Sequence, residues 1–97
     1  AYGASKAAIN SLTQSLAIAL AEHRIFVGAV APGFVNTDLT SARLASSEGD
    51  EIRAQSPFNR VAEPEEVAYA VLFLASEGAE FSTGTIIDVN GASHMRS

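Results

Sequence analysis

Tyr2 and Lys6 stand four residues apart near the start of the chain, a spacing that places both on one face of a helix about one turn apart. A phenol beside an ammonium can move a proton to or from a carbonyl or alcohol oxygen. An unperturbed tyrosine has a pKa of about 10, and a neighbouring cation favours its phenolate. Lowering that pKa by two or three units takes about 3–4 kcal/mol of differential stabilisation, a reasonable demand in a partly dry cleft but not on an open surface. With three donors, the ammonium can also hold a sugar hydroxyl. The competing reading is a surface tyrosine with a solvated lysine one turn on, and the pair by itself leaves both open.

Other candidates carry bland readings beside sharp ones. Pro32-Gly33 is either a plain turn at a strand end or, with Thr37 a few residues on, a loop facing a ligand. Thr37-Asp38 has the composition of a helix cap, a role compatible with ligand contact. Glu63, Glu65 and Glu66 suit the positive end of a helix dipole better than paired catalytic carboxylates. Arg60 is expected to bond nearby backbone, with a substrate anion as the alternative. Asp88 lies inside an apolar strand and needs a polar partner there. His23 and His94 are too far apart in sequence for metal-ligand spacing, and no metal site is expected.

These groups must be positioned by a small set of elements. From Tyr2 to about Glu22, Ile9, Leu12, Leu16 and Leu20 recur at three- and four-residue spacing, which predicts one helix with an apolar stripe. Its many alanines allow close approach, and His23-Arg24 suit its last turn. Residues 25–31 are apolar on both alternating faces and predict a strand covered on both sides, as in a parallel sheet. Pro32-Gly33 ends it. Between Leu39 and Gln55 two short helices are expected, joined at residues 46–50 and closed by Ser56-Pro57. Pro64, with glutamates in the first turn, opens a firmer helix. Val67, Ala70, Val71 and Leu74 are its expected buried stripe and Gly78 its terminator. Residues 85–89 predict the last strand, closed by Asn90-Gly91, and a frayed tail follows. Helix, strand, excursion, helix, strand defines an α/β parallel unit. Two strands make a poor sheet, and the chain begins without an initiator Met or a cap residue, so a missing N-terminal part is expected.

Composition narrows the function classes. The 97 residues are 47% hydrophobic with a mean hydropathy of +0.17, enough for a globular core. No apolar run is long enough to cross a bilayer. The net charge is −5, with the basic residues scattered, so the electrostatic basis of a nucleic-acid or anionic-membrane surface is absent. Without cysteine there are no disulfides, thiolate metal sites or thiol nucleophiles within the chain. A cytoplasmic location is the default expectation.

At the level of motifs the chain resembles the short-chain dehydrogenase/reductase family. Tyr2-Gly3-Ala4-Ser5-Lys6 is similar to its Tyr-x-x-x-Lys active-site helix, and Val30-Ala31-Pro32-Gly33-Phe34-Val35-Asn36-Thr37 to its Pro-Gly loop. Arg60 through Ala68 resembles the Arg-x-x-x-Pro-Glu-Glu-Val-Ala opening of its next helix. Residues 72–76, Thr83-Gly84 and Asp88-Val89-Asn90-Gly91 resemble the run to its last strand. The overall pattern is nearest to 3-oxoacyl-carrier-protein reductases.

The resemblance implies that residues 1–97 are the C-terminal part of a doubly wound, parallel-sheet Rossmann-type domain in an NAD- or NADP-dependent oxidoreductase. It would act on a small-molecule carbonyl/alcohol pair and form a dimer or tetramer of identical chains. Tyr2 would be the acid/base, and Lys6 would tune it and hold the nicotinamide ribose. Pro32, Gly33, Val35 and Thr37 would line the nicotinamide end, with the Val35 backbone and Thr37 hydroxyl near the carboxamide or phosphates. Residues 39–58 would be a mobile lid over the substrate.

Two departures are visible: Phe26-Val27-Gly28 stands where the family has Arg-Val-Asn, and Asn90-Gly91-Ala92 where it has Asp-Gly-Gly. The family's glycine-rich phosphate loop and catalytic serine precede the tyrosine and have no counterpart in these residues. The 97 residues alone are therefore expected to be inactive. The alternatives are a non-catalytic association module and a pseudo-reductase that binds cofactor without turnover.

Overall fold

The computed structural model describes residues 2–95, with Tyr2 described through its backbone. Helix α1 (Tyr2–Leu20) runs into a 3₁₀ turn at Ala21–His23, and β1 covers Ala29–Pro32. Two short helices follow, α2 (Ser41–Ala45) and α3 (Gly49–Ala54), then α4 (Pro64–Leu74), a 3₁₀ turn at Glu77–Ser82 and β2 (Ile86–Val89). β1 and β2 form a two-stranded sheet. The Ala29 N–H donates to Thr85 O at 3.0 Å, and four residues on the Gly33 N–H donates to Val89 O at 2.9 Å. The partners advance in the same direction, so the strands are parallel. The described residues divide into two compact units, one within residues 2–30 and 71–87, the other within residues 31–70 and 88–95. Among the described residues no helix is long and apolar enough to cross a membrane.

In the first unit, α1 is closed by a paired-bond motif. Arg24 adopts a left-handed conformation at φ 56°, its N–H donating to Ala21 O while the Ile25 N–H reaches Leu20 O, which satisfies carbonyls that a helix end leaves open. Thr13 and Ala17 are the buried residues of α1, and the Thr13 hydroxyl donates to Ile9 O at 2.8 Å. The predicted stripe is not buried within this chain: Ile9 and Leu12 are 56% and 55% exposed, and Leu16 is exposed as well. The side of α1 that meets chain is the small-residue side, where Ala17 lies against Gly84.

The predicted strand also begins later than expected, at Ala29, and Ile25 and Phe26 are exposed. The reason lies at Val27. Its N–H donates to Thr83 Oγ1 at 3.0 Å and its carbonyl accepts the Gly84 N–H at 2.6 Å, which fastens the segment to the turn before β2. Only from Ala29 does a ladder partner become available. The same two bonds hold the strand entry beside Gly28.

Helix α4 starts at Pro64 as expected but ends at Leu74, short of Gly78. The Ser76 hydroxyl donates to Phe73 O at 2.6 Å and the Ser76 N–H to the same carbonyl at 3.0 Å. Ser76 thus caps the helix, and Gly78 falls inside the next 3₁₀ turn. Val71 is exposed, whereas Val67, Ala70 and Leu74 are half-buried.

The second unit has its buried points at Gly49, Ile52 and Ser56. Ser56 donates to Gly91 O at 2.6 Å and accepts the Phe58 N–H at 3.2 Å. Gly91 has φ 57°, and a Cβ there would lie 2.6 Å from Ser56 Oγ, so this turn requires glycine on both counts. Beyond it, Asn90 Nδ2 donates to His94 O at 2.9 Å, so the tail is held back as far as His94 instead of fraying from Ser93.

Replacing Ser56 with alanine leaves the Gly91 carbonyl and the Phe58 N–H without this buried partner. The expected loss is about 1–3 kcal/mol of unfolding free energy, measured by urea denaturation. A loss below about 0.5 kcal/mol would show that other contacts hold the turn.

Candidate active site

The site is assembled from the strand ends outward. β1 closes on Pro32, and Gly33 passes so close to the Asn90 turn that a Cβ would lie 2.9 Å from Asn90 Cβ and 3.2 Å from Asn90 Cα. Both Pro32 and Gly33 are exposed. The chain then pairs in parallel with Ala62 at Val35. That pairing runs through the neighbours of Val35: the Ala62 N–H donates to Phe34 O and the Asn36 N–H donates to Ala62 O. In such a bridge the N–H of Val35 itself is turned to the other side, and among the described residues it has no hydrogen-bond partner.

Thr37 is exposed and Thr40 half-buried. Thr40 Oγ1 donates to Val35 O at 2.6 Å, accepts the Thr37 N–H at 2.9 Å and lies 3.2 Å from Thr37 Oγ1. Thr37 and Asp38 do not cap α2 with their side chains. The helix begins at Ser41 with Thr40 before it and no side-chain cap, because the Thr37 hydroxyl faces Thr40 while its carbonyl receives the Thr40 and Ser41 N–H groups.

A second polar chain fixes the other side of the loop. Asn36 Nδ2 reaches the Glu63 carboxylate at 3.3 and 3.5 Å. The Glu63 N–H donates to Glu66 Oε1 at 2.9 Å, the return half of a capping box at the start of α4. Arg60 grips both Glu66 oxygens at 2.7 and 3.0 Å and also donates to Val61 O. Glu66 is therefore more than a dipole-favoured surface acid. The Arg60 fork, followed by the Glu63 N–H, lowers its pKa to about 2. Arg60 meets backbone as expected, but its charge is spent on Glu66 and leaves little for a substrate anion.

On the first unit, Tyr2 and Lys6 both lie in α1, one turn apart along its backbone, and Lys6 is half-buried. The Tyr2 side chain lies outside the described residues. Within the second unit, Val35 and Thr37 are brought together through Thr40. Thr40 is not singled out by sequence reasoning, and Asn36, Arg60, Glu63 and Glu66 are named there without the bonds that join them. A threonine three residues after another was the available signal, in a stretch where serine and threonine are common. A recess of about 130 Å³ lined by Phe34, Ile52, Ser56, Phe58, Arg60 and Gly91 includes none of the predicted site residues. Arg60, the cation in its lining, is paired with Glu66.

The geometry can be set beside known proteins. The family profile described as enoyl-(acyl carrier protein) reductase matches residues 1–94. Over 90 residues the chain is 46% identical to a 3-oxoacyl-[acyl-carrier-protein] reductase of Aquifex aeolicus, covering 93% of this chain and 36% of that protein. It is 48% identical over 91 residues to a 3alpha-hydroxysteroid dehydrogenase of Mediterraneibacter gnavus, covering 94% and 36%. Among solved structures, a short-chain dehydrogenase/reductase of Brucella melitensis, described as a glucose/ribitol dehydrogenase, matches with a TM-score of 0.85. It is 40% identical, and the match covers 98% of this chain and 38% of that one. The chain belongs to the short-chain dehydrogenase/reductase family, and its fold is α/β of the Rossmann type. It spans a little over a third of the length of these relatives.

The Glu66 carboxylate titrates in the folded protein at about 2, below its ordinary value of about 4.3. Its contribution to stability is thus complete above pH 4.3 and is lost as pH falls toward 2. Glu66→Gln is expected to lower the thermal midpoint at pH 7, with the gap to the parent protein closing between pH 4.3 and 2. A gap independent of pH across that window would show that the ionised carboxylate is not what holds the start of α4.

Proposed function

We propose that the protein is an NAD(P)-dependent oxidoreductase that interconverts a carbonyl and an alcohol, and that these residues form the C-terminal part of its cofactor-binding domain. One observation carries the reading: the Val35 N–H is an outward donor without a partner among the described residues, and the exposed Thr37 hydroxyl stands two residues on. A primary carboxamide presents one acceptor and one N–H donor face, so a backbone donor beside a hydroxyl oxygen suits it. Their place at the C-terminal end of a parallel strand is where Rossmann-type sheets take ligands. The nicotinamide group, when bound, supplies or receives the hydride.

The remaining work falls to this chain's own residues. Tyr2 protonates the substrate oxygen in reduction and takes the alcohol proton in oxidation. Lys6, one turn along α1, favours the phenolate through its charge and holds the ribose hydroxyls. Pro32 and Gly33 keep the loop close to the sheet end, so that Val35 and Thr37 can orient the ring. Residues 39–58, which carry α2 and α3 and expose Leu39 and Phe58, act as a lid over the substrate. The named relatives act on acyl, steroid and sugar compounds, so the shared frame fits the reaction class and not one substrate.

A second reading, association of identical chains, draws on the exposed Ile9, Leu12 and Leu16 of α1 and Tyr69, Leu72 and Phe73 of α4. It is compatible with catalysis.

Tyr2→Phe, introduced into the protein expressed from its complete gene, tests the catalytic reading. Turnover is expected to fall by about 10²–10⁴-fold, with the dissociation constant for the dinucleotide nearly unchanged. Full turnover in the variant would remove Tyr2 from the chemistry. Cofactor binding without turnover in the parent protein would favour a pseudo-reductase.

A further inference from the structure

The Thr40 hydroxyl makes more contacts than one proton can serve, and sorting them decides what Thr37 offers a ligand. A hydroxyl has one proton to give and two lone pairs to receive with. Among its carbonyl neighbours, Thr40 Oγ1 is 2.6 Å from Val35 O and 3.2 Å from Thr37 O. The proton belongs to the shorter contact. One lone pair takes the Thr37 N–H at 2.9 Å. At the 3.2 Å contact with Thr37 Oγ1 Thr40 is therefore left only the accepting role, and the Thr37 hydroxyl must donate inward. With its proton spent, Thr37 turns lone pairs outward from an exposed position. A group in that state accepts from an N–H and has nothing to give a phosphate oxygen.

We propose that Thr40 is a positioning residue that locks the Thr37 hydroxyl as an acceptor, so that together with the Val35 N–H it selects a primary carboxamide by its N–H and not a phosphate. This rests on the reading that Val35 and Thr37 face the nicotinamide end of the cofactor, and it decides which part of that cofactor Thr37 meets. Thr40 does so without touching the ligand. Its bond to Val35 O also holds the peptide that follows the Val35 N–H, so one hydroxyl sets both halves of the donor–acceptor pair. The half-burial of Thr40 shields these bonds from water more than those of its exposed neighbours.

The test compares dissociation constants, measured by calorimetry on the protein expressed from its complete gene. The probes are the preferred dinucleotide and its 3-acetylpyridine analogue, in which a methyl ketone removes the N–H donor but keeps the acceptor. The parent protein is expected to prefer the carboxamide by about fivefold or more, the worth of one hydrogen bond. Thr40→Val, similar in shape but without a hydroxyl, should reduce that preference to within about twofold, and Thr40→Ser should restore it. Thr40→Ala gives the same reading should valine disturb folding. Thr37→Ala should abolish the preference.

If Thr40→Val and Thr40→Ala keep the parent preference while Thr37→Ala loses it, the proposal is overturned and the nicotinamide reading stands. Equal weakening toward both probes in the Thr40 variants would reduce Thr40 to a structural role and overturn it as well. If Thr37→Ala binds both probes as the parent does, the nicotinamide reading itself fails and takes the proposal with it.

Discussion

The parallel pairing of β1 with β2 is the constraint on which the other arrangements depend. It rests on backbone bonds such as Ala29 N–H to Thr85 O in one unit and Gly33 N–H to Val89 O in the other. Segments more than fifty residues apart gain little from local propensity, so closing this loop costs chain entropy that only the ladder and its flanking contacts offset. Because the strands are parallel, the loops that follow both of them emerge at the same end. The Pro32-Gly33 loop and the Asn90-Gly91 turn then crowd one another, and the absence of a Cβ at Gly33 is what lets the two backbones approach. Ser56 fastens the Asn90-Gly91 turn from a third segment. A polar loop would otherwise be loose at that point, and here it is held by bonds whose partners are all within the same unit.

Much of this was legible in the sequence because it is written in local chemistry. The proline and glutamates before α4, the break between α2 and α3, and the Asn-Gly closure after β2 each follow from what a residue does to its own backbone. What was not legible depends on partners. Residues 25–31 are apolar throughout, but apolarity shows only a wish to be covered. Where the strand begins is settled by Thr83 and Gly84 fastening Val27, and those residues lie far along the chain. The stripe of Ile9, Leu12 and Leu16 was placed correctly on one helical face, yet periodicity cannot say whether the covering element belongs to these residues. The face of α1 that this chain does cover is the one built on Thr13 and Ala17.

The candidate site divides in the same way. Tyr2 with Lys6 and the Pro32–Thr37 loop stand out as spacings and motifs, since their roles follow from residue type. Thr40 does not, and neither do the bonds that join Asn36 to Glu63 and Arg60 to Glu66, since each of these matters through its partner. Glu66 shows the difference. By sequence it is one of three acids at a helix start, while in the fold it completes a cap and accepts the arginine fork, which draws its pKa far below the ordinary range. An exposed pair of this kind adds little stability on its own. Its value is geometric, because it fixes where α4 begins and hence where Ala62 meets Val35.

Polar groups held in fixed directions are what this loop has to offer. In residues 33–41 the N–H groups of Gly33, Asn36, Thr37, Thr40 and Ser41 are bonded to Val89, Ala62, Thr40 and Thr37. On the proposed reading, the donor at Val35 and the oxygen of Thr37 are the groups that meet the ligand. Residues 39–58, the substrate side on the proposed reading, are built on the opposite principle, with short helices held by internal contacts such as Arg53 to Leu44 O and apolar side chains exposed at Leu39 and Phe58. Polar groups with fixed directions demand one partner, while exposed apolar surface accepts many shapes. On the proposed reading, a family whose named members act on acyl, steroid and sugar compounds can therefore keep one cofactor frame and vary its substrates, since directional bonds hold the first and largely non-directional contacts receive the second.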